Sequence, residues 1–194
     1  MRPLRKGDET IVELGSGSGT QVEVLKKLYP DLTVLCYDLP VQVFLCENYL
    51  SQVFGQSKVT RTVETLQWKD LSQLKKGGIN CFGCWQIPLL KDLDFDVFWS
   101  AASFGEMEPE ITENYLAYIT GRVKWIYLLQ ARYGKETRGR THVKKPLVFD
   151  DYKRILSSHI LVDQRDAYQA NKRLSQSGGY FEAVWKSFEM DESG

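Results

Sequence analysis

The residues best suited to chemistry lie near the start of the sequence. Glu13-Leu14-Gly15-Ser16-Gly17-Ser18-Gly19 sets three glycines at alternate positions, two residues after an acid. Glycine reaches positive φ and carries no Cβ, so backbone there can close on a ligand. Asp38 follows further along, beside Leu39 and Pro40. A carboxylate offers two acceptor oxygens, a match for the two hydroxyls of a ribose. The same acid would also serve to cap a helix opening at Pro40. Glu106 is a candidate general base, since an acceptor must shed a proton to a nearby group. It could instead favour the start of a helix near Pro109. The sequence holds two histidines. His142 lies in a basic loop from which it could reach a site, and His159 reads as structural.

These residues need elements to position them. Ile11–Leu14 reads as a strand, and Val22, Val24, Leu25 and Leu28 give Thr20–Leu28 one apolar helical face. The free N–H groups of that helix start would face the glycine loop. Thr33–Tyr37 is a continuous apolar strand of the kind buried in a parallel sheet. Val41–Phe54 reads as a helix stopped by Gly55. Val59–Val63 alternates like a strand, and Leu66, Leu71 and Leu74 read as a helix. Ile79–Phe82, Phe95–Trp99 and Val123–Leu129 are further strands, with helices at Pro109–Ile119 and Phe149–Ser157. Ile160–Tyr168 and Tyr180–Phe188 read as an antiparallel hairpin across a polar connection. The alternation predicts an α/β fold: a doubly wound, mostly parallel sheet of the seven-stranded type, with helices on both faces and an antiparallel C-terminal strand.

The composition suits one domain over residues 1–194, with 43% hydrophobic residues for a core. Lys+Arg and Asp+Glu balance at 25 each, so no global charge points to nucleic acid or to a membrane surface. No apolar run is long enough to span a bilayer, and the N-terminus lacks the apolar core of a signal peptide, so a cytoplasmic location is expected. Cys36 and Cys46 read as small buried hydrophobes. Cys81-x-x-Cys84 lacks the second ligand pair that zinc needs. Asp92, Asp94 and Asp96 fall at the wrong end of their strand for a site, so no metal is expected. The glycine strand starts so early that covering helices are expected to be missing or supplied by a partner; oligomerisation is left open.

The dinucleotide fingerprint needs Gly-x-Gly-x-x-Gly, and Thr20 stands where its third glycine should be. Glu13-x-Gly15-x-Gly17-x-Gly19 instead resembles the first motif of class I S-adenosylmethionine-dependent methyltransferases. The terminal hairpin resembles their sixth and seventh strands. Asp38-Leu39-Pro40 resembles the Asp-Leu-Pro of small-molecule O-methyltransferases, and Gly83-Cys84-Trp85-Gln86-Ile87-Pro88 their adenine-flanking segment, with Cys84 where an acid is usual. Ser103-Phe104-Gly105-Glu106-Met107, Tyr115 and Tyr49-Leu50-Ser51 resemble a family of sugar O-methyltransferases. The resemblance covers residues 11–188.

It implies S-adenosyl-L-methionine held by Glu13, Gly15, Ser16, Gly17, Gly19, Asp38, Leu39, Cys84, Trp85 and Ser100. It implies O-methylation of a sugar-like small molecule, with Glu106 or His142 as base. Plant-type relatives carry a His-Asp pair where Gly105-Glu106 stands, so their mechanism does not transfer directly. Ser103, Arg132, Arg138 and Arg140 would meet the acceptor. The basic loop Arg132–Lys145 suits an acidic or nucleotide-linked sugar. The alternatives are methylation of another small molecule and a non-catalytic cofactor-binding module.

Overall fold

The computed structural model describes residues 8–134, 143–174 and 179–188. The chain divides into two compact units, Met1–Trp99 and Ser100–Gly194.

The first unit is built from β1 (Thr10–Leu14), α1 (Thr20–Leu28), β2 (Thr33–Asp38), α2 (Pro40–Phe54), β3 (Val59–Thr60), α3 (Thr62–Thr65) and β4 (Ile79–Gly83). The first residues of β5 (Phe95–Ala101) complete it. The strands lie in the order β3-β4-β2-β1-β5, and every pair is parallel. Parallel strands are covered on both faces, so they tolerate unbroken apolar runs. Accordingly, β4 is buried at every position and β2 at all but Asp38. Ile11, Val12, Leu14, Val34, Leu35, Ile79 and Phe82 form the centre of this core. Lys26 ties the far end of the unit together: its buried ammonium donates to the carbonyls of Pro30, Leu32 and Gly77.

Two expected elements differ. The strand expected over Val59–Val63 stops after Thr60, because the buried Glu47 accepts from Thr62 N (2.7 Å) and Thr62 Oγ1 (2.6 Å). Glu64 turns back to accept from Arg61 N at 2.8 Å, which starts the short α3 instead. The helix expected around Leu66–Leu74 is a series of turns. Asp70 accepts from Ser72 N at 2.9 Å, a local bond that competes with helix. A 3₁₀ stretch at Cys84–Asp92, containing Pro88, had no sequence signal that set it apart from loop.

The second unit holds the end of β5, α4 (Pro109–Ala117), β6 (Val123–Ala131), α5 (Phe149–Ile155), β7 (His159–Asp166), α6 (Tyr168–Leu174) and β8 (Tyr180–Ser187). Here β8 pairs antiparallel with both β6 and β7. The expected hairpin is present, and its connection contains α6, which the polar sequence disguised. Asn171 stitches α6 to β8, its Nδ2 donating to Tyr180 O at 3.2 Å. Phe149, Tyr152, Phe181 and Trp185 pack as an aromatic core, with Phe149 and Phe181 edge to face at 4.6 Å. Among the described residues there are eight strands, mixed and mostly parallel, with interleaved helices. This is the Rossmann-like α/β architecture expected. No described helix is long and apolar enough to cross a membrane.

Candidate functional site

β1 ends at Leu14 and the chain enters three positive-φ glycines: Gly15 (86°), Gly17 (55°) and Gly19 (82°). Residues with a Cβ would be strained at each, which explains the alternate spacing. Gly15 N donates to Tyr37 O (2.8 Å), and Gly19 N to Ser16 O (2.9 Å), so the loop is pinned to the end of β2 and to itself. The two outer glycines differ in their surroundings. A Cβ at Gly19 would stand 2.9 Å from Leu50 Cδ1 and 3.0 Å from Cys46 Sγ, so α2 packs directly on the loop. A Cβ at Gly17 would meet nothing within 4 Å, which leaves room for a ligand. Gly19 is also the N-cap of α1, with no side chain to close its first turn.

Asp38 holds this loop from the next strand. Its Oδ2 accepts from Gly17 N and its Oδ1 from Leu39 N, both at 2.7 Å. Leu39 follows as the exposed N-cap residue of α2, and Pro40 occupies the first helical position, where its missing N–H costs nothing.

Glu13 is 4% exposed, and its Oε2 has no hydrogen-bond partner. Burial pushes its carboxyl up to about 8; the Cys46 thiol and Asp38 add to the rise, and the Ser16 hydroxyl opposes it. Ser16 is itself buried, its Oγ donating to Glu13 O at 3.4 Å. A buried acceptor without a donor is costly, so this group is suited to a ligand that brings a cation or N–H.

At the end of β4, opposite Asp38 in register, Gly83 underlies Trp85. A Cβ at Gly83 would lie 2.2 Å from the Trp85 ring, so only glycine lets the indole fold back over the strand end. Trp85 remains 53% exposed, with ring surface free to stack on a planar group. Gln86 fixes this turn, accepting from Gly83 N (3.1 Å) and donating to Thr65 O (2.8 Å). Cys84 is half-buried beside it. Glu13, Gly15, Ser16, Gly17, Gly19, Asp38 and Leu39 thus come together on β1, β2 and their loops, with Cys84 and Trp85 at the adjoining strand end.

The remaining expected residues belong to the second unit. Ser100 is buried in β5, with Gln130 Nε2 donating to its Oγ at 3.4 Å. Ala102 follows with φ 63°, the non-glycine residue at positive φ among those described. Its N–H donates to Leu129 O at 2.7 Å, which holds the strained residue in place. Ser103 Oγ donates to Ala101 O at 3.4 Å. Glu106 stands exposed on the 3₁₀ turn Phe104–Glu106. The N-cap residue of α4 is Glu108, and its carboxylate accepts from Lys144 N (2.8 Å) and Lys145 N (3.3 Å). Arg132 is engaged within the unit: it pairs with Asp166 at 2.7 Å and lies over the Phe149 and Phe181 rings. Arg138, Arg140 and His142 lie outside the described residues. His159 is buried, Nε2 3.3 Å from Val123 O and Nδ1 3.0 Å from Ser158 Oγ. Asp96 accepts from Thr10 N at 2.9 Å and so joins β5 to β1.

Sequence reasoning missed Gln86 and Ala102. No periodicity marks a glutamine that closes a turn. Ala-Ala-Ser does not announce a left-handed residue, since alanine has no preference for it.

No protein-family model and no curated protein sequence matches this chain. Solved structures do. A protein from Galdieria sulphuraria, provisionally assigned as a sarcosine dimethylglycine methyltransferase, superposes with a TM-score of 0.65 at 11% identity. The match covers 92% of this chain and 78% of that one. An O-methyltransferase family protein from Burkholderia thailandensis gives 0.64 at 10% identity, covering 95% of this chain and 53% of that one. Geranyl diphosphate C-methyltransferase from Streptomyces coelicolor A3(2), crystallised with S-adenosyl-L-homocysteine, gives 0.62 at 11%, covering 93% and 71%. The fold is that of the class I S-adenosylmethionine-dependent methyltransferases. The chain spans about half the length of the Burkholderia protein.

Proposed function

We propose that this chain binds S-adenosyl-L-methionine in the first unit and transfers its methyl group to an oxygen of a small-molecule acceptor. The observation that carries the reading is the pairing of an open, positive-φ glycine loop with a buried, unpartnered carboxyl oxygen on Glu13. The cofactor, when bound, supplies a methyl group already activated on a sulfonium. The residues present fit it. Glu13 Oε2 would accept from the ammonium of its methionine part, and the space at Gly17 admits that tail. Asp38 would take the ribose hydroxyls, and Trp85 would stack on the adenine.

The chain's own contribution is to orient and to accept a proton. As the methyl group moves to oxygen, the acceptor's proton must leave. Glu106 is the candidate to receive it, with His142 the second candidate. A sugar-like, acidic acceptor rests on the Ser103–Met107 and Tyr115 resemblance and on the basic loop with Arg138 and Arg140.

Titration calorimetry tests the cofactor claim. S-adenosylmethionine should bind one to one and NAD should not. Asp38→Ala should weaken binding at least about tenfold, roughly 1.4 kcal/mol. A folded protein that takes up no S-adenosylmethionine at millimolar concentration refutes the reading. With an acceptor in hand, Glu106→Gln should lower kcat by about 100-fold or more with cofactor affinity unchanged.

A further inference from the structure

Three of the four cysteines have no part in that reading, yet they converge. Cys36 on β2 and Cys81 on β4 are register partners in adjacent parallel strands, and Cys46 reaches them from α2. The three Sγ atoms lie within 4.8 Å of one another, and all three residues are buried. Glu13 continues the same row, since it is the register partner of Cys36 on β1. Its Oε2 is the buried oxygen that no described group satisfies. Cys46 Sγ also stands 3.0 Å from where a Cβ of Gly19 would be, so the cluster abuts the glycine loop.

We propose that Cys36, Cys46 and Cys81 form a three-thiolate site for a thiophilic d¹⁰ cation, Zn²⁺ or Cu⁺, seated against the cofactor loop. Sulfur ligands select these ions over the hard cations that prefer oxygen. A tetrahedral or trigonal ion with metal–sulfur bonds of about 2.3 Å needs sulfurs about 3.8 to 4.0 Å apart, within the spread observed here. Cu⁺ is satisfied by three sulfurs. Zn²⁺ would add a water as its fourth donor. The ligands come from two strands and a helix, so an ion would fasten α2 to the sheet beneath Gly19. As each metal–sulfur bond forms, the thiol gives up its proton to solvent, and neither metal nor sulfur changes oxidation state.

The site is independent of the methyl-transfer reading and is tested without the cofactor. The reduced, chelator-treated full chain is titrated with Zn²⁺, and separately with Cu⁺ under reducing conditions, each against a chromophoric competitor. One equivalent of one of these ions should bind, with proton release and a raised Tm. Cys46→Ser and Cys36→Ser should each weaken binding at least tenfold, whereas Cys84→Ser should leave it unchanged. Should the cluster variants fail to fold, Co²⁺ added to the wild-type protein decides alone: a thiolate-to-cobalt charge-transfer band supports the site. Absence of that band and of Zn²⁺ and Cu⁺ uptake by folded wild-type protein overturns it. So does binding that depends on Cys84 but not on Cys46.

Discussion

In the first unit every strand pair is parallel, and β2 and β4 are buried almost from end to end. In the second, β8 runs antiparallel to both neighbours, and β7 is exposed at each position after His159. Their candidate site residues follow the same division. Gly15, Gly17, Gly19 and Asp38 are set by backbone torsions and short backbone hydrogen bonds at the ends of buried strands. Ser103 and Glu106 sit on a turn after β5, and the backbone of Lys144–Lys145 is held by the Glu108 side chain. A buried parallel sheet fixes its loops before a ligand arrives. An antiparallel unit with an exposed edge strand leaves more to its surface contacts.

The largest effect should separate two glycines of the first unit. Gly19→Ala must bear positive φ and press on Leu50 and Cys46, and should cost about 3 kcal/mol by denaturant unfolding. Gly17→Ala bears the torsion without the clash and should cost about 1 kcal/mol. The cofactor loop is not held by α2 packing if the two costs are equal.

The two units should also respond to pH with opposite sign. Glu13 has a raised folded-state pKa, about 8 against 4.5. The native state therefore holds more protons in that interval, and stability falls as pH rises through it. Glu13→Gln should flatten this slope. His159 in the second unit is held below its usual pKa of 6.5 by burial, against the opposing pull of the Val123 carbonyl. There the unfolded state binds more protons, so stability is full above about 6.5 and falls as pH drops. Unfolding midpoints measured from pH 5 to 9 for wild type, Glu13→Gln and His159→Gln would expose both slopes. The smallest effect is in the second unit. Ala102→Gly should stabilise by about 0.5 to 1 kcal/mol, the relief at φ 63° partly offset by added chain entropy.

The strands β1, β2, β4 and β5 were legible because apolar runs and glycine breaks are local signals. So was the glycine loop, since alternate positive-φ residues leave one choice of side chain. The short β3 was not, because Glu47, far back on α2, decides where it stops. Trp85 was legible as an aromatic near the site, but its fold over Gly83 depends on Gln86 bridging to Thr65. The α6 segment was hidden by its polar composition and is held to β8 by Asn171.

By itself the amino-acid sequence determined the α/β alternation, the positive-φ loop and the acid after β2, all consequences of local torsion and periodicity. Only the tertiary structure decided that Glu13 is buried with an unpaired oxygen, and that Cys36, Cys46 and Cys81 meet. Both depend on strand register and on where α2 packs. Those follow from how distant segments share a core, and no short stretch of sequence contains that information.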